Sequence, residues 1–409
     1  MIRILKLVFI YTIIIIYSLE ILLFFSTPVE QKRMVQIKNE RIKIAKNKNL
    51  KYDLRSPEQF YLDQKKINNN LAPVFLYAKH FSSFKVFKDA QANNKIIPFR
   101  GPINKNSISC AEDLNYKIIE NDKYGFKNSN KNYEKKINSI LLGDSYAEGL
   151  CVENQNYIAG NLNNNEINTI NFGVTGTGPL VSLAILREFG STLKPKNIFY
   201  LYFEGNDLDD LNYEKNKTNL YKYLDPNYSN NYINRYDEIK IFLKNSNQES
   251  ENLITSLNLD KPILEDNIKS SIFNNLTQHL KDIAELSNLK NIVRFSILKR
   301  QINTYDLDLF YNIIKKMKLE SEKWNGNFNF VYVPSWSRYF TKYTNKDAGF
   351  KLKEKILKDL DTKKIKTIDL TVYFDETKNL KKYFPLGYIG HYNAAGYEKI
   401  ADILAREIK

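Results

Sequence analysis

From residue 137 onward the chain alternates between short apolar runs and longer stretches whose apolar residues recur three and four positions apart. The runs 137–142, 169–174, 197–203, 328–333 and 365–370 are rich in Ile, Leu, Val, Phe and Tyr and predict strands buried on both faces. Helical spacing at 180–189, 307–324, 350–360 and 394–408 falls between or after them. Strand–helix alternation of this kind builds a parallel sheet covered on both sides. Five strands predict an α/β, flavodoxin-like doubly wound fold, whose sites lie at the carboxyl ends of the strands. A stretch of about 208–325 separates the third and fourth strands, is too long for a loop, and is helical in pattern at 263–286. It is expected to shape the binding cleft as a cap.

The amino-terminal part follows other patterns. Residues Ile4 to Phe25 are almost all apolar, and 22 residues at about 1.5 Å each reach about 33 Å, enough to cross a bilayer core. Arg3 and Lys6 precede the run, but no small-residue cleavage site follows it, so an uncleaved transmembrane anchor over 1–29 is expected rather than a signal peptide. Residues 30–132 read as a basic tether followed by an accessory region of short apolar pieces between turns. The body, 133–409, is the expected catalytic domain.

Charge changes this picture little. The 61 basic and 46 acidic residues give a formal charge of +15. The lysines are scattered among asparagines and isoleucines, and no nucleic-acid motif accompanies them, so a solvated basic surface is expected and not a nucleic-acid partner. Lys32, Arg33, Lys38 and Arg41 after the apolar run would by simple counting place the body inside the cell. The two cysteines argue for a periplasmic or extracellular body instead, because Cys110 precedes the first sheet strand and Cys151 lies six residues past Ser145. A strand-to-helix turn there would let the two bridge in an oxidising compartment; the alternative is two buried thiols.

The candidate chemistry sits at the strand ends. The first strand runs into Gly143-Asp144-Ser145, which delivers a serine hydroxyl to the rim of the sheet. The second is followed by Gly173-Val174-Thr175-Gly176-Thr177-Gly178, whose glycines let backbone N–H groups approach an anion, although the ending of a phosphate loop is missing. After the third comes Glu204-Gly205-Asn206-Asp207, with an amide donor at Asn206. Just before the last helix stands His391, one of three histidines.

In this order the four blocks resemble the SGNH (GDSL-like) hydrolase superfamily, over about residues 137–409, and among them the membrane-anchored bacterial members. The resemblance implies Ser145 as nucleophile, His391 as base, and the Ser145 and Gly176 N–H groups with the Asn206 side chain as the oxyanion hole. No metal or other cofactor is implied. Two departures matter: Glu204 replaces the usual glycine of the third block, and Tyr388 stands where an Asp three residues before the histidine is usual. The group orienting His391 is therefore expected to be a backbone carbonyl, or a carboxylate such as Asp369 or Asp375. The implied activity is that of a serine esterase or O-acyltransferase acting on an acylated, most simply acetylated, envelope or extracellular glycan. The missing Asp leaves a second reading open, a catalytically silent binding or scaffold module in polysaccharide assembly.

Overall fold

The computed structural model describes residues 11–13, 15–19, 30–73, 88–90, 96–256, 305–340 and 348–408. The chain divides into two compact units, 1–40 with 258–304, and 41–257 with 305–409. The two sheets and the residues around Ser145 described below belong to the second. Among the described residues no helix is long and apolar enough to cross a membrane, and most of the run from Ile4 to Phe25 lies outside them.

A helix, α1 (Glu30–Asn47), leads into the accessory region. There β1 (Leu71–Ala72) pairs in parallel with β2 (Asn106–Ser109), which pairs antiparallel with β3 (Lys117–Glu120). This small sheet buries Leu71 and Ile108 against Phe60 and Tyr61. The region is not a separate lobe, because Phe126 enters the main core with its ring centroid 4.8 Å from that of Phe172.

The main sheet consists of β4 (Ser139–Gly143), β5 (Thr169–Asn171), β6 (Asn197–Phe203), β7 (Asn327–Val333) and β8 (Lys366–Asp369), all parallel, in the order β5-β4-β6-β7-β8. The side-chain period of two sorts each strand between two cores. Ile140, Leu142, Ile198, Tyr200, Tyr202, Phe328 and Phe330 face one core, and Leu141, Phe199, Leu201, Phe203, Val331 and Val333 the other. Both cores need covering, which explains why the strands are apolar on consecutive residues.

Five further helices matter here: α2 (Ser145–Glu148), α3 (Pro179–Leu193), α4 (Asp207–Glu214), α5 (Leu307–Glu322) and α6 (Ala394–Glu407). Helices α3 and α5 cover the first face, with Leu183, Leu186, Phe310, Ile314 and Met317 buried. Helix α6 covers the second with Tyr397, Ile400 and Leu404, beside Ile158 and Leu162. Strand order reverses at β4, whose neighbours β5 and β6 both follow it in sequence. Ligands of such sheets bind in the crevice beyond that switch point, where Ser145 lies.

Within the long stretch after β6, α5 is the ordinary crossover helix to β7. Residues up to 256 join the first core through Tyr223, Tyr232, Ile239, Phe242 and Leu243. They dock on α3, whose Glu188 carboxylate accepts hydrogen bonds from the Tyr223 hydroxyl and from the Asn230 and Tyr232 N–H groups. The helix expected at 263–286 lies outside the described residues.

Cys110 and Cys151, 41 positions apart in sequence, form a disulfide with Cα atoms 4.8 Å apart. Closing such a loop stabilises a fold by about 3 to 4 kcal/mol. We expect no alkylatable thiol in the denatured, unreduced protein and a lower urea midpoint for the Cys110→Ser/Cys151→Ser variant. Two freely alkylated cysteines would contradict the bond.

Candidate active site

Strand β4 cannot turn into α2 with an ordinary residue at its end. Gly143 has φ of +139°, and a Cβ there would stand 2.6 Å from the Leu201 carbonyl oxygen. The next residue, Asp144, caps α2 by accepting the Tyr146 N–H at 2.8 Å. Ser145 is thereby set at the first position of the helix, largely buried, with Oγ 3.3 Å from Asp144 Oδ2. The turn after α2 is held from below by Lys127, a fully buried amine that donates to the Gly149 and Val152 carbonyls, each at 2.7 Å. Burial lowers its pKa to about 7.

The segment before α6 brings His391 to the serine, with Nε2 2.9 Å from Ser145 Oγ. The Tyr146 ring lies 4.8 Å from the imidazole, centroid to centroid, and stacks on Phe203 at 3.7 Å. Behind the ring stands Glu112, from the loop between β2 and β3. Its Oε1 is 3.1 Å from His391 Nδ1, and its Oε2 accepts the His391 backbone N–H at 2.7 Å. One carboxylate thus fixes both the ring and the backbone that carries it.

Arg41 of α1 completes the chain of charges. Its Nη2 lies 3.4 Å from Glu112 Oε1 and donates to the Ile389 carbonyl at 2.6 Å. Burial opposes ionisation of Glu112, but His391 and Arg41 outweigh it and hold the carboxyl down at about 2. For His391 burial pushes the pKa down, and the adjacent Glu112 carboxylate more than reverses this, leaving it above the ordinary 6.5.

Neither Asp369 nor Asp375 orients the histidine, and no backbone carbonyl takes that place; a glutamate does. Asp369 caps the following helix by accepting the Thr371 N–H and hydroxyl, and pairs with Lys353 at 2.8 Å. Asp375 ends that helix beside the Tyr339 hydroxyl. The sequence held a usable signal for Glu112: if Cys110 bridges to Cys151, a residue two positions on lies within about 7 Å of the bridge by chain reach. At that spacing the chain places Glu112 after Cys110 and Glu153 after Cys151.

On the other side of the serine, Gly176 follows β5 with φ of +74°. Its loop is tied to the strand end by the Val174 N–H on the Gly143 carbonyl, 2.9 Å. Asn206 precedes α4 at the end of β6, and its Nδ2 donates to Asp210 Oδ2 at 2.9 Å. Its amide is therefore engaged within the protein, with Asp144 alongside. Glu204, the departure in this block, is buried and accepts from the Tyr332 hydroxyl, the Ser335 N–H and the Arg338 guanidinium. It braces the ends of β6 and β7 and leaves Asn206 in place.

Among the described residues, Glu112, His391 and Cys151 place ligand-type atoms within 4.8 Å of one another. The Cys151 sulfur is committed to the disulfide, which leaves two donors rather than a metal site.

No protein-family model matches the chain, and no curated protein does. Among solved structures, a putative lipolytic protein of the G-D-S-L family from Desulfitobacterium hafniense DCB-2 is similar at 12% identity and a TM-score of 0.36, over 66% of this chain and 97% of that one. A likeness of that size adds nothing to what the residues themselves display.

The geometry predicts the order of side-chain losses. Labelling of Ser145 by a fluorophosphonate should vanish in Ser145→Ala and fall about a thousandfold in Glu112→Gln, because an amide can hold the wrong imidazole tautomer. It should stay within about twofold in Asp369→Asn. Because the raised pKa keeps the proton on His391 to higher pH, the acidic limb of the wild-type profile should lie above pH 6.5 and move downward in Glu112→Gln. Labelling rates against pH decide; an unmoved limb would contradict the pairing.

Proposed function

We propose that the chain is a serine esterase or O-acyltransferase, and that its substrate is an acylated glycan of the cell envelope or exterior. The observation that carries this reading is the continuous series Ser145 Oγ, His391 Nε2, His391 Nδ1 and Glu112 Oε1, with steps of 2.9 and 3.1 Å. Structural histidines do not ordinarily lie between a turn serine and an arginine-paired carboxylate.

In this reading Ser145 Oγ attacks the ester carbonyl while its proton passes to His391 Nε2, and Glu112 stabilises the imidazolium. The oxyanion is met by the Ser145 and Gly176 N–H groups, and by Asn206 if its amide leaves Asp210. The imidazolium then protonates the departing alcohol, leaving the acyl group on Ser145. Water releases it as an acid in hydrolysis; a sugar hydroxyl, deprotonated by His391, accepts it in transfer.

The glycan assignment draws on the basic surface and on side chains that stack and hydrogen-bond, such as Trp336, whose ring lies 5.8 Å from that of Tyr388 beyond the end of β7. The apolar run from Ile4 to Phe25 supports a membrane tether, and the disulfide supports an exported body. The silent scaffold reading draws on the Asn206–Asp210 bond, which occupies one expected oxyanion donor.

One experiment separates the two. The purified body should react with a fluorophosphonate at Ser145 and release p-nitrophenol from the acetyl ester. An added acetylated oligosaccharide should compete, and mass spectrometry of the products distinguishes free acetate from acetyl moved to an acceptor. A folded, disulfide-bonded protein that neither labels nor hydrolyses would support the scaffold.

A further inference from the structure

Glu148 lies one helical turn past Ser145 in α2, and its side chain is buried without contacting the serine. Its Oε1 accepts from Arg100 Nη2 at 2.8 Å. Its Oε2 accepts both the Thr175 N–H and the Thr175 hydroxyl, each at 2.7 Å. Thr175 directly precedes Gly176.

Further contacts join the same two segments. The Glu148 carbonyl accepts from Asn171 Nδ2 at 3.1 Å, and Asn171 Oδ1 accepts the Gly173 N–H at 2.9 Å. Gly173 lies so close to α2 that a Cβ on it would stand 2.2 Å from the Glu148 nitrogen. Beyond Gly176, the Thr177 hydroxyl donates back to the Val174 carbonyl at 2.8 Å. Arg100 is itself fixed, donating to Asn121 Oδ1 and to the Gly125 carbonyl. Burial opposes the charge on Glu148, but Arg100 and Thr175 keep its pKa below the ordinary value.

We propose that Glu148 is a positioning residue for the oxyanion site: its carboxylate, anchored by Arg100, clamps Thr175 and so sets the Gly176 N–H relative to Ser145. The inference rests on the serine-esterase reading and adds the device that fixes the spacing between nucleophile and oxyanion donor. One short helix carries both the nucleophile and the clamp, so that spacing depends on a single helical turn and one carboxylate. Preorganised donors act only if they wait where the oxyanion forms, and a displacement of about 1 Å costs about a hundredfold.

The test uses Thr175→Val, which removes the hydroxyl donor at nearly constant shape, and Thr175→Ser, which keeps it. Rates with p-nitrophenyl acetate are divided by the fraction of Ser145 that a fluorophosphonate titrates. We expect kcat of Thr175→Val to fall about tenfold with KM within about twofold, and Thr175→Ser to match wild type. Phenylboronic acid supplies a second readout: Ser145 Oγ bonds to boron, its proton passes to His391, and the tetrahedral boronate carries the negative charge. Its Ki should rise in Thr175→Val by about the same factor as kcat falls. Glu148→Gln should lose more, measured beside its unfolding midpoint because Arg100 then lacks its buried partner. Unchanged kcat and Ki in Thr175→Val, or equal losses in Val and Ser, would overturn the positioning role while esterase activity stands. A wild type that neither labels nor turns over would overturn both.

Discussion

The arrangement around Ser145 depends on one half-buried carboxylate. Glu112 loses much of its hydration between His391 and Arg41, a cost recovered only where opposite charge and hydrogen-bond donors are close. Arg41 supplies the charge, the His391 backbone supplies a donor, and both also fix the loop that carries the histidine. Meeting the needs of that carboxylate therefore also fixes His391 beside Ser145. The disulfide two residues before Glu112 ties the β2–β3 loop to the turn after α2, and the Cys151 N–H on Ser109 Oγ at 3.0 Å adds a second tie.

A wider charge pattern surrounds the serine. Glu112 and Glu148 have lowered pKa values and each faces an arginine, Arg41 or Arg100. Asp144, Asp207 and Glu214 are met by hydroxyls, amides and backbone N–H groups instead. Burial raises Asp144 to about 7 and Glu214 to about 8, and it raises Asp207 well above the carboxylate range. Negative charge is thus favoured on Glu112 behind the histidine and on Glu148 beside Arg100, while burial disfavours it on Asp144 and Asp207. An oxyanion forming beside Ser145 meets less repulsion than the number of nearby acids suggests.

Much of this was legible in the sequence because it is local. Consecutive apolar residues in β4, β6 and β7 declare strands buried on both sides, and Gly143-Asp144-Ser145 declares the turn. The orienting acid was not legible in the same way. Glu112 lies in a short loop without periodicity, 279 positions from His391, and nothing adjacent to it in the chain marks a buried charge. Asp369 and Asp375 are nearer to His391 in sequence, but Asp369 caps a helix and Asp375 ends it beside Tyr339. Asn206 shows the opposite limit: its residue type was legible, but the bond that occupies its amide depends on how α4 begins.

These contacts make the segment before the first sheet strand part of the same packed body as the sheet rather than a spacer. Arg41 and Glu112 reach the base from it, Arg100 reaches the clamp on the oxyanion side, and Lys127 supports the turn after the nucleophile helix. Phe126 packs there against Phe172 and Phe189, so the same segment fills part of the core beside β5. The ends of β4, β5 and β6 bring Ser145, the Gly176 loop and Asn206 to one rim, and the Glu148–Thr175 bonds hold that loop. The charges that would make the serine reactive come from residues 41 to 127.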